Sequence, residues 1–112
     1  MKKIFALLVL AGMANVAAAA EIVGNAEAAK GKVEMCIGCH GIPNYKTGYP
    51  EVYRVPMLGG QNAKYIEAAL HAYKKGERKN ASMRGIAVTL TDQDIADVAA
   101  YYAGQPSTPA KK

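Results

Sequence analysis

The stretch MCIGCHG, residues 35–41, decides how the fold of this chain is interpreted. Cys36 and Cys39 are separated by two residues, His40 follows directly, and the chain of 112 residues has no other cysteine. Paired cysteines at this spacing occur in redox dithiols, zinc sites, local disulfides and covalent cofactor attachment sites. The rest of the sequence has to distinguish between these chemistries.

The first 20 residues predict export. Lys2 and Lys3 form a charged start, residues 4–10 are apolar, and the alanines at 18–20 suit a signal peptidase. We therefore expect a signal peptide over residues 1–20 and a mature chain in the periplasm. An uncleaved anchor is the alternative, although the apolar run is slightly shorter than the ~20 residues of a spanning helix.

The charge of the chain is only mildly basic. Loss of Lys2 and Lys3 with the signal peptide lowers the net charge from +5 to +3. This excess is too weak to indicate a nucleic-acid partner for an exported protein. Several cations nevertheless cluster and form either a partner-facing patch or a solvated helix end: Lys74, Lys75, Arg78, Lys79 and Arg84.

Zinc and dithiol chemistry find little support outside the motif. A structural zinc site needs four ligands, but His71 is the only other histidine and no second ligand pair has the usual spacing. A thioredoxin-like dithiol needs a strand–helix context, whereas the flanking sequence is helical and irregular. A disulfide between Cys36 and Cys39 would close a very small loop and add little stability.

Covalent haem attachment accounts for the whole motif. C-x-x-C-H is the attachment signature of c-type haem. The thiols of Cys36 and Cys39 would form thioethers with the two haem vinyl groups, and His40 would ligate the iron. A buried porphyrin also supplies apolar volume to a mature chain that has no Trp and no Phe. The sequence therefore predicts one covalently bound haem c.

Three helices and no convincing strand are predicted, so the expected fold class is all-α. Helical periodicity covers residues 26–35, 63–75 and 92–103, and Asn62 and Thr91 are suitable N-caps for the last two. A loop with three prolines connects the first two helices. The last residues, from 105 to 112, are expected to form a disordered tail.

Three longer stretches extend the motif into a family resemblance: AAKGKVEMCIGCHG (28–41), VPMLGGQNAKYIEAALHAYKKGER (55–78) and MRGIAVTLTDQDIADVAAYYAG (83–104). In this order they resemble the class I c-type cytochromes. The likeness is strongest to the small bacterial monohaem kind and to one half of the diheme bacterial cytochromes c. The resemblance implies a cytochrome c domain over residues 21–104, with three main helices wrapped around one haem.

The resemblance also assigns roles to individual residues. Met83 falls where the family places its sulfur ligand, so His40 and Met83 are the expected metal ligands. Pro56 falls where a backbone carbonyl accepts the Nδ1–H of the proximal histidine, and Leu58 would pack on the haem face. Gly31 falls where the first helix crosses the last helix closely.

Other side chains compete for the sixth coordination position. Met35 adjoins the motif on the proximal side, and Met57 lies in the stretch assigned to the proximal wall. His71 occupies a different face of the middle helix from its apolar stripe and is expected at the surface. A separate group in the long loop offers candidate partners for the haem carboxylates, although ordinary loop packing is the alternative: Arg54, Tyr45, Tyr49 and Tyr53.

The function implied by the resemblance is one-electron transport, not catalysis, because two axial ligands leave no open position on the iron. Redox proteins of the periplasm would be the donor and acceptor, with no nucleic acid and no stable membrane insertion after signal cleavage. Two alternatives stay open. One is a haem c subunit of a periplasmic oxidoreductase complex, and the other is a gas-binding or peroxidatic haem protein.

Overall fold

The computed structural model describes residues 21–48 and 52–107. The signal peptide predicted over residues 1–20, and residues 108–112 of the predicted tail, lie outside the described residues. Within them the chain forms five helices and one small antiparallel ribbon, which confirms the all-α class. The elements are α1 (Ala26–Ala29), α2 (Glu34–His40), β1 (Lys46–Thr47), β2 (Tyr53–Arg54), α3 (Ala63–Lys75), α4 (Ala81–Ala87) and α5 (Asp92–Ala103).

Helices α3 and α5 have the predicted bounds, because their ends carry strong local signals. The Asn62 side chain accepts a hydrogen bond from the Tyr65 N–H and begins α3. Gly76 ends α3 in the left-handed region at φ 79°, where a residue with a Cβ would be strained. Thr91 and Asp94 form the reciprocal capping box that begins α5.

The continuous first helix predicted over residues 26–35 is wrong. The segment divides into α1 and α2, which are separated by a turn at residues 30–33. The Lys32 N–H donates to the Ala29 carbonyl three residues earlier, which makes this part of the turn tighter than an α-helix. The close helix crossing expected at Gly31 is also absent, since a Cβ there would meet nothing within 4 Å.

Helix α4 and the ribbon were not predicted from the sequence. No helix was predicted between residues 78 and 85, but the Asn80 side chain accepts a hydrogen bond from the Met83 N–H and begins a helix. In the ribbon, Lys46 pairs with Arg54 and Thr47 with Tyr53. Strands of two residues are too short to show an alternating pattern, so the periodicity of the sequence could not predict them.

The core lies where α1, α3 and the segments beside them pack on α5. Its buried residues are mostly apolar: Ala29, Val33, Ile66, Leu70, Leu90, Ile95, Val98, Ala99 and Tyr102. Cys36, Leu58 and Met83 are partly buried and pack against this cluster. The core therefore supports the residues on which the cofactor hypothesis depends.

The N-terminal segment is held closely on α5. A Cβ at Gly24 would come within 2.1 Å of the Ala96 carbonyl oxygen, so only glycine permits this approach. On either side, the Val23 carbonyl accepts a hydrogen bond from Gln93 Nε2 and the Asn25 N–H donates to Asp97 Oδ1. The segment before α1 thus makes a close approach to α5 at Gly24, whereas the helix crossing expected at Gly31 is not found.

Asp97 is the one buried charged residue among the described residues. Its carboxylate accepts hydrogen bonds from Lys32 Nζ (2.7 Å), the Asn25 N–H and Gln93 Nε2 (both 2.8 Å). The bond from Lys32 is the main reason that the pKa of Asp97 is lowered. Lys32 also contacts Asp94 at 2.6 Å and lowers the pKa of that carboxyl to about 2. This network ties the turn after α1 to α5.

Candidate functional site

One apolar cavity brings together most of the residues that the sequence assigned to the site. Cys36 and His40 reach it from α2, Leu58 from the loop before α3, and Met83 from α4. The wall is completed by aliphatic side chains alone: Ile66, Leu70, Ile86, Leu90 and Val98. A histidine nitrogen and a thioether sulfur in an otherwise apolar wall are suitable ligands for haem iron.

The orientation of His40 is fixed by the predicted contact with Pro56. His40 Nδ1 lies 2.6 Å from the Pro56 carbonyl oxygen, so Nδ1–H donates to it and Nε2 is left free to bind a metal. The ribbon positions this carbonyl, because the neighbouring Val55 N–H donates to the Tyr45 carbonyl at 2.9 Å. Val55 itself is buried and holds the segment against the rest of the domain.

The two cysteines differ in their surroundings. Both are free thiols on α2 and both are half-buried, but only Cys36 lines the cavity. Burial raises the pKa of the Cys36 thiol. Such an apolar position suits a thioether, which carries no charge. Within the described residues no cluster of three or more His, Cys, Asp or Glu side chains is placed to hold a metal ion.

Met83 is the only methionine of the described residues that lines the cavity. Met35 is 51% exposed and Met57 is 36% exposed, as expected for side chains outside the site. His71 lies partly exposed, with its Nδ1 3.9 Å from Asp92 Oδ1. The residues expected to compete with Met83 are therefore all absent from the cavity wall.

Part of the cavity wall was not predicted from the sequence. Ile66, Leu70 and Val98 belong to predicted helical stripes, so their inward position follows from helical periodicity. Ile86 and Leu90 were not predicted because α4 itself was not. The Asn80 cap three residues before Met83 is the signal that could have identified them.

A small all-α fold that brings the histidine of a C-x-x-C-H motif and a methionine to one apolar cavity has the arrangement of a c-type haem protein. The family model described as Cytochrome c matches residues 26–104. The chain therefore belongs to the cytochrome c family. Proteins of this family carry electrons on covalently bound haem c and are not enzymes.

Several curated proteins are similar to this chain. Cytochrome c-554(548) of Halomonas halodenitrificans is 42% identical over 85 residues, which cover 73% of this chain and 98% of that protein. Cytochrome c4 of Pseudomonas aeruginosa is 36% identical over 93% of this chain. A protein of Stutzerimonas stutzeri named thiosulfate dehydrogenase electron acceptor is 37% identical over 80% of this chain. The chain spans only 48% and 44% of the last two proteins.

Proposed function

We propose that this protein is a periplasmic one-electron carrier with a single haem c. Cys36 and Cys39 would hold the haem through thioethers, and His40 and Met83 would be its axial ligands. One observation carries the proposal: His40 and Met83 line the same apolar cavity. Nδ1 of His40 is already hydrogen-bonded to the Pro56 carbonyl, so the other ring nitrogen would bind the iron.

Each of these side chains favours electron transfer in a different way. Haem iron supplies the one-electron redox chemistry when it is bound. Pro56 fixes the His40 ring and raises the basicity of the nitrogen that would bind the metal. With haem bound, the Met83 thioether would favour the ferrous state, and the aliphatic wall, including Leu58, would disfavour the additional charge of the ferric state. Two protein ligands would leave no open position for a substrate.

The proposal includes export. Residues 1–20 would be removed as a signal peptide, residues 21–104 would form the cytochrome c domain, and residues 105–112 would be a C-terminal tail. No helix within residues 21–48 and 52–107 is long and apolar enough to cross a membrane. Redox proteins of the periplasm would be the donor and acceptor, in line with a relative that is named an electron acceptor.

Covalent attachment predicts a defined mass. The exported protein should weigh as much as residues 21–112 plus one haem, and the haem should remain with the polypeptide in acid acetone, because thioethers survive this treatment. Intact-mass spectrometry before and after extraction measures both properties. The double variant Cys36→Ala/Cys39→Ala is the control and should lose any haem that it binds. Free extraction from the wild type, or alkylation of its native thiols, would refute the attachment.

The surface beside the attachment motif is the expected docking site for redox partners. Ile37 and Ile42 are both 44% exposed, and Pro43 is also exposed. These apolar residues adjoin the cysteines, where the path for electron tunnelling to a thioether-linked haem is short. A carrier needs brief encounters, so a small apolar contact of this kind is sufficient.

Ile42→Glu should therefore slow electron transfer to a verified physiological partner by about tenfold, the cost of ~1.4 kcal/mol in the encounter. The visible spectrum should not change. Val23→Glu is a matched control, because Val23 is 81% exposed on the segment that packs against α5. Stopped-flow kinetics at low ionic strength measures the rate. Equal rates of electron transfer for wild type and Ile42→Glu would exclude this surface as the docking site.

A further inference from the structure

Helix α4 carries the proposed sixth ligand, but core packing supports only one of its ends. The helix has seven residues, Ala81–Ala87, and helices this short are not stable in isolation. Ala87 in the last turn is fully buried. In the first turn, Ala81 and Ser82 are exposed and Met83 is only partly buried. The turn that carries Met83 therefore needs a contact other than core packing to keep its position.

The last turn of α4 is held by hydrogen bonds as well as by packing. Lys74 of α3 donates through Nζ to the carbonyl of Leu90, a buried residue just beyond the helix. The Thr89 hydroxyl donates to the Ile86 carbonyl at 2.7 Å and satisfies one of the free carbonyls at the helix end. These contacts do not involve residues 81–84, so the last turn would keep its place if the first turn opened.

The first turn of α4 is held by Asn80. Its side-chain oxygen accepts a hydrogen bond from the Met83 N–H at 3.0 Å, and its carbonyl accepts one from the Arg84 N–H at 2.9 Å. Among the described residues, no other side chain forms a hydrogen bond with residues 81–84. The cap bond is made to the backbone of Met83 itself, so Asn80 acts on the position of this residue directly.

Opening of the first turn would have a direct consequence for the iron. Because the capped N–H and the thioether belong to the same residue, loss of the cap would free Met83 to leave the cavity wall while the rest of α4 stayed folded. We propose that Asn80 is a positioning residue for the sixth ligand and that its bond to the Met83 N–H sets how often Met83 leaves the iron. This inference rests on the proposed function, but it concerns how firmly Met83 is held and not which residue is the ligand.

Gly85 makes α4 more dependent on this cap. Glycine is among the weakest helix formers, because its backbone loses more conformational freedom on folding than that of other residues. Nothing in the structure requires glycine here: a Cβ at this position would meet no atom within 4 Å, and Gly85 is not in the left-handed region. Gly85→Ala should therefore strengthen α4 without a steric cost and have the opposite effect to loss of the cap.

Helix α3 offers a matched control, because it begins with the same type of cap. The Asn62 side chain accepts a hydrogen bond from the Tyr65 N–H at 3.1 Å, again three residues further along the chain. This helix has 13 residues, and three of them are buried: Ile66, Leu70 and Tyr73. Asn62→Ala would thus remove an equivalent bond from a helix that packing holds in place and that carries neither proposed iron ligand.

Titration of the ferric holoprotein with imidazole tests the proposal. Imidazole can bind the iron only when Met83 has left it, so the apparent Kd for imidazole is inversely proportional to the open fraction. Asn80→Ala should lower this apparent Kd about fivefold, the factor that corresponds to the usual effect of a lost N-cap. Loss of the near-infrared band of methionine-bound ferric iron follows the titration. Asn80→Asp retains a side-chain acceptor and should behave like the wild type.

Two further variants separate positioning of Met83 from a general loss of stability. Gly85→Ala should raise the apparent Kd for imidazole roughly two- to fivefold, because it stabilises the closed helix. Asn62→Ala should leave the apparent Kd unchanged. Both Asn→Ala variants should lower the melting temperature of the holoprotein, since each removes one helix cap. A merely structural role of Asn80 would therefore change the melting temperature without changing the imidazole titration.

Equal apparent Kd values for wild type and Asn80→Ala would overturn the positioning role, and so would an equal fall in Asn62→Ala. If Asn80→Ala does not accumulate, Gly85→Ala decides the question, because an apparent Kd no higher than that of the wild type would overturn the proposal. The near-infrared band of the wild type separates this result from a failure of the proposed function. If the band is present while the titrations agree, the role of Asn80 alone is wrong; a wild type without the band refutes the proposed ligation by Met83 itself.

Discussion

Met83→Ala is expected to lower the reduction potential by about 100 mV or more, within the ~0.8 V range over which axial ligands set haem potentials. Met83 lines the cavity, and as the proposed sixth ligand its thioether would favour the ferrous state; water or another weak ligand would replace it in the variant. The weak near-infrared band of methionine bound to ferric iron should disappear. Redox titration and near-infrared absorption measure these changes.

Met57→Leu is the matched control for this experiment. Met57 is also near the proximal segment but lies outside the cavity wall, so its replacement should leave the potential and the near-infrared band unchanged. The assignment of the sixth ligand fails if Met83→Ala retains the wild-type spectrum while Met57→Leu or His71→Ala changes it. His71 is included because histidine is the other side chain that commonly ligates haem iron.

Asp97→Asn is expected to destabilise the domain by about 2–3 kcal/mol, since it removes the charge of a buried carboxylate that pairs with the partly exposed Lys32. Lys32 Nζ now lies 2.7 Å from the carboxylate. In the variant, it would face either an N–H₂ donor or an uncharged amide oxygen. The melting temperature should fall by about 10 °C for a domain of this size. Thermal unfolding of the holoprotein, followed by circular dichroism, measures this change.

Glu27→Gln is the control, because Glu27 forms an exposed ion pair with Lys30 and such pairs add little stability. The pH dependence gives a second test. The folded-state pKa values of Asp94 and Asp97 are lowered, so their stabilisation is present above the unfolded value near 3.9 and is lost as the pH falls through the folded values. The difference in the free energy of unfolding between wild type and Asp97→Asn should thus shrink from about pH 4 towards pH 2. A stability difference that does not change with pH, or a variant as stable as the wild type, would contradict the stabilising role of Asp97.

The predictable parts of the fold are those with strong signals at their ends. Asn62 and Thr91 begin α3 and α5 through side-chain hydrogen bonds that depend only on local sequence. The break between α1 and α2 was less predictable, because the one glycine in this segment, Gly31, weakens a helix without ending it. The turn at the break is held by tertiary contacts, among them the bonds from Lys32 to Asp94 and Asp97.

The residues of the candidate site divide in the same way, into those that local sequence predicts and those that depend on distant segments. The C-x-x-C-H motif predicted Cys36, Cys39 and His40 without reference to any structure, because the chemistry of attachment dictates the spacing. The contributions of Pro56 and Met83 depend on segments far apart in the chain and came from the family resemblance.

If this protein is an electron carrier whose haem has both axial positions closed, its ferrous form should not bind carbon monoxide. The ferrous wild-type protein should be mixed with carbon monoxide and its Soret spectrum followed over time. The wild-type spectrum should not change, whereas Met83→Ala should bind the gas readily because its sixth position would be open. Rapid binding by the wild type would contradict the electron-carrier assignment and favour a gas-binding haem protein.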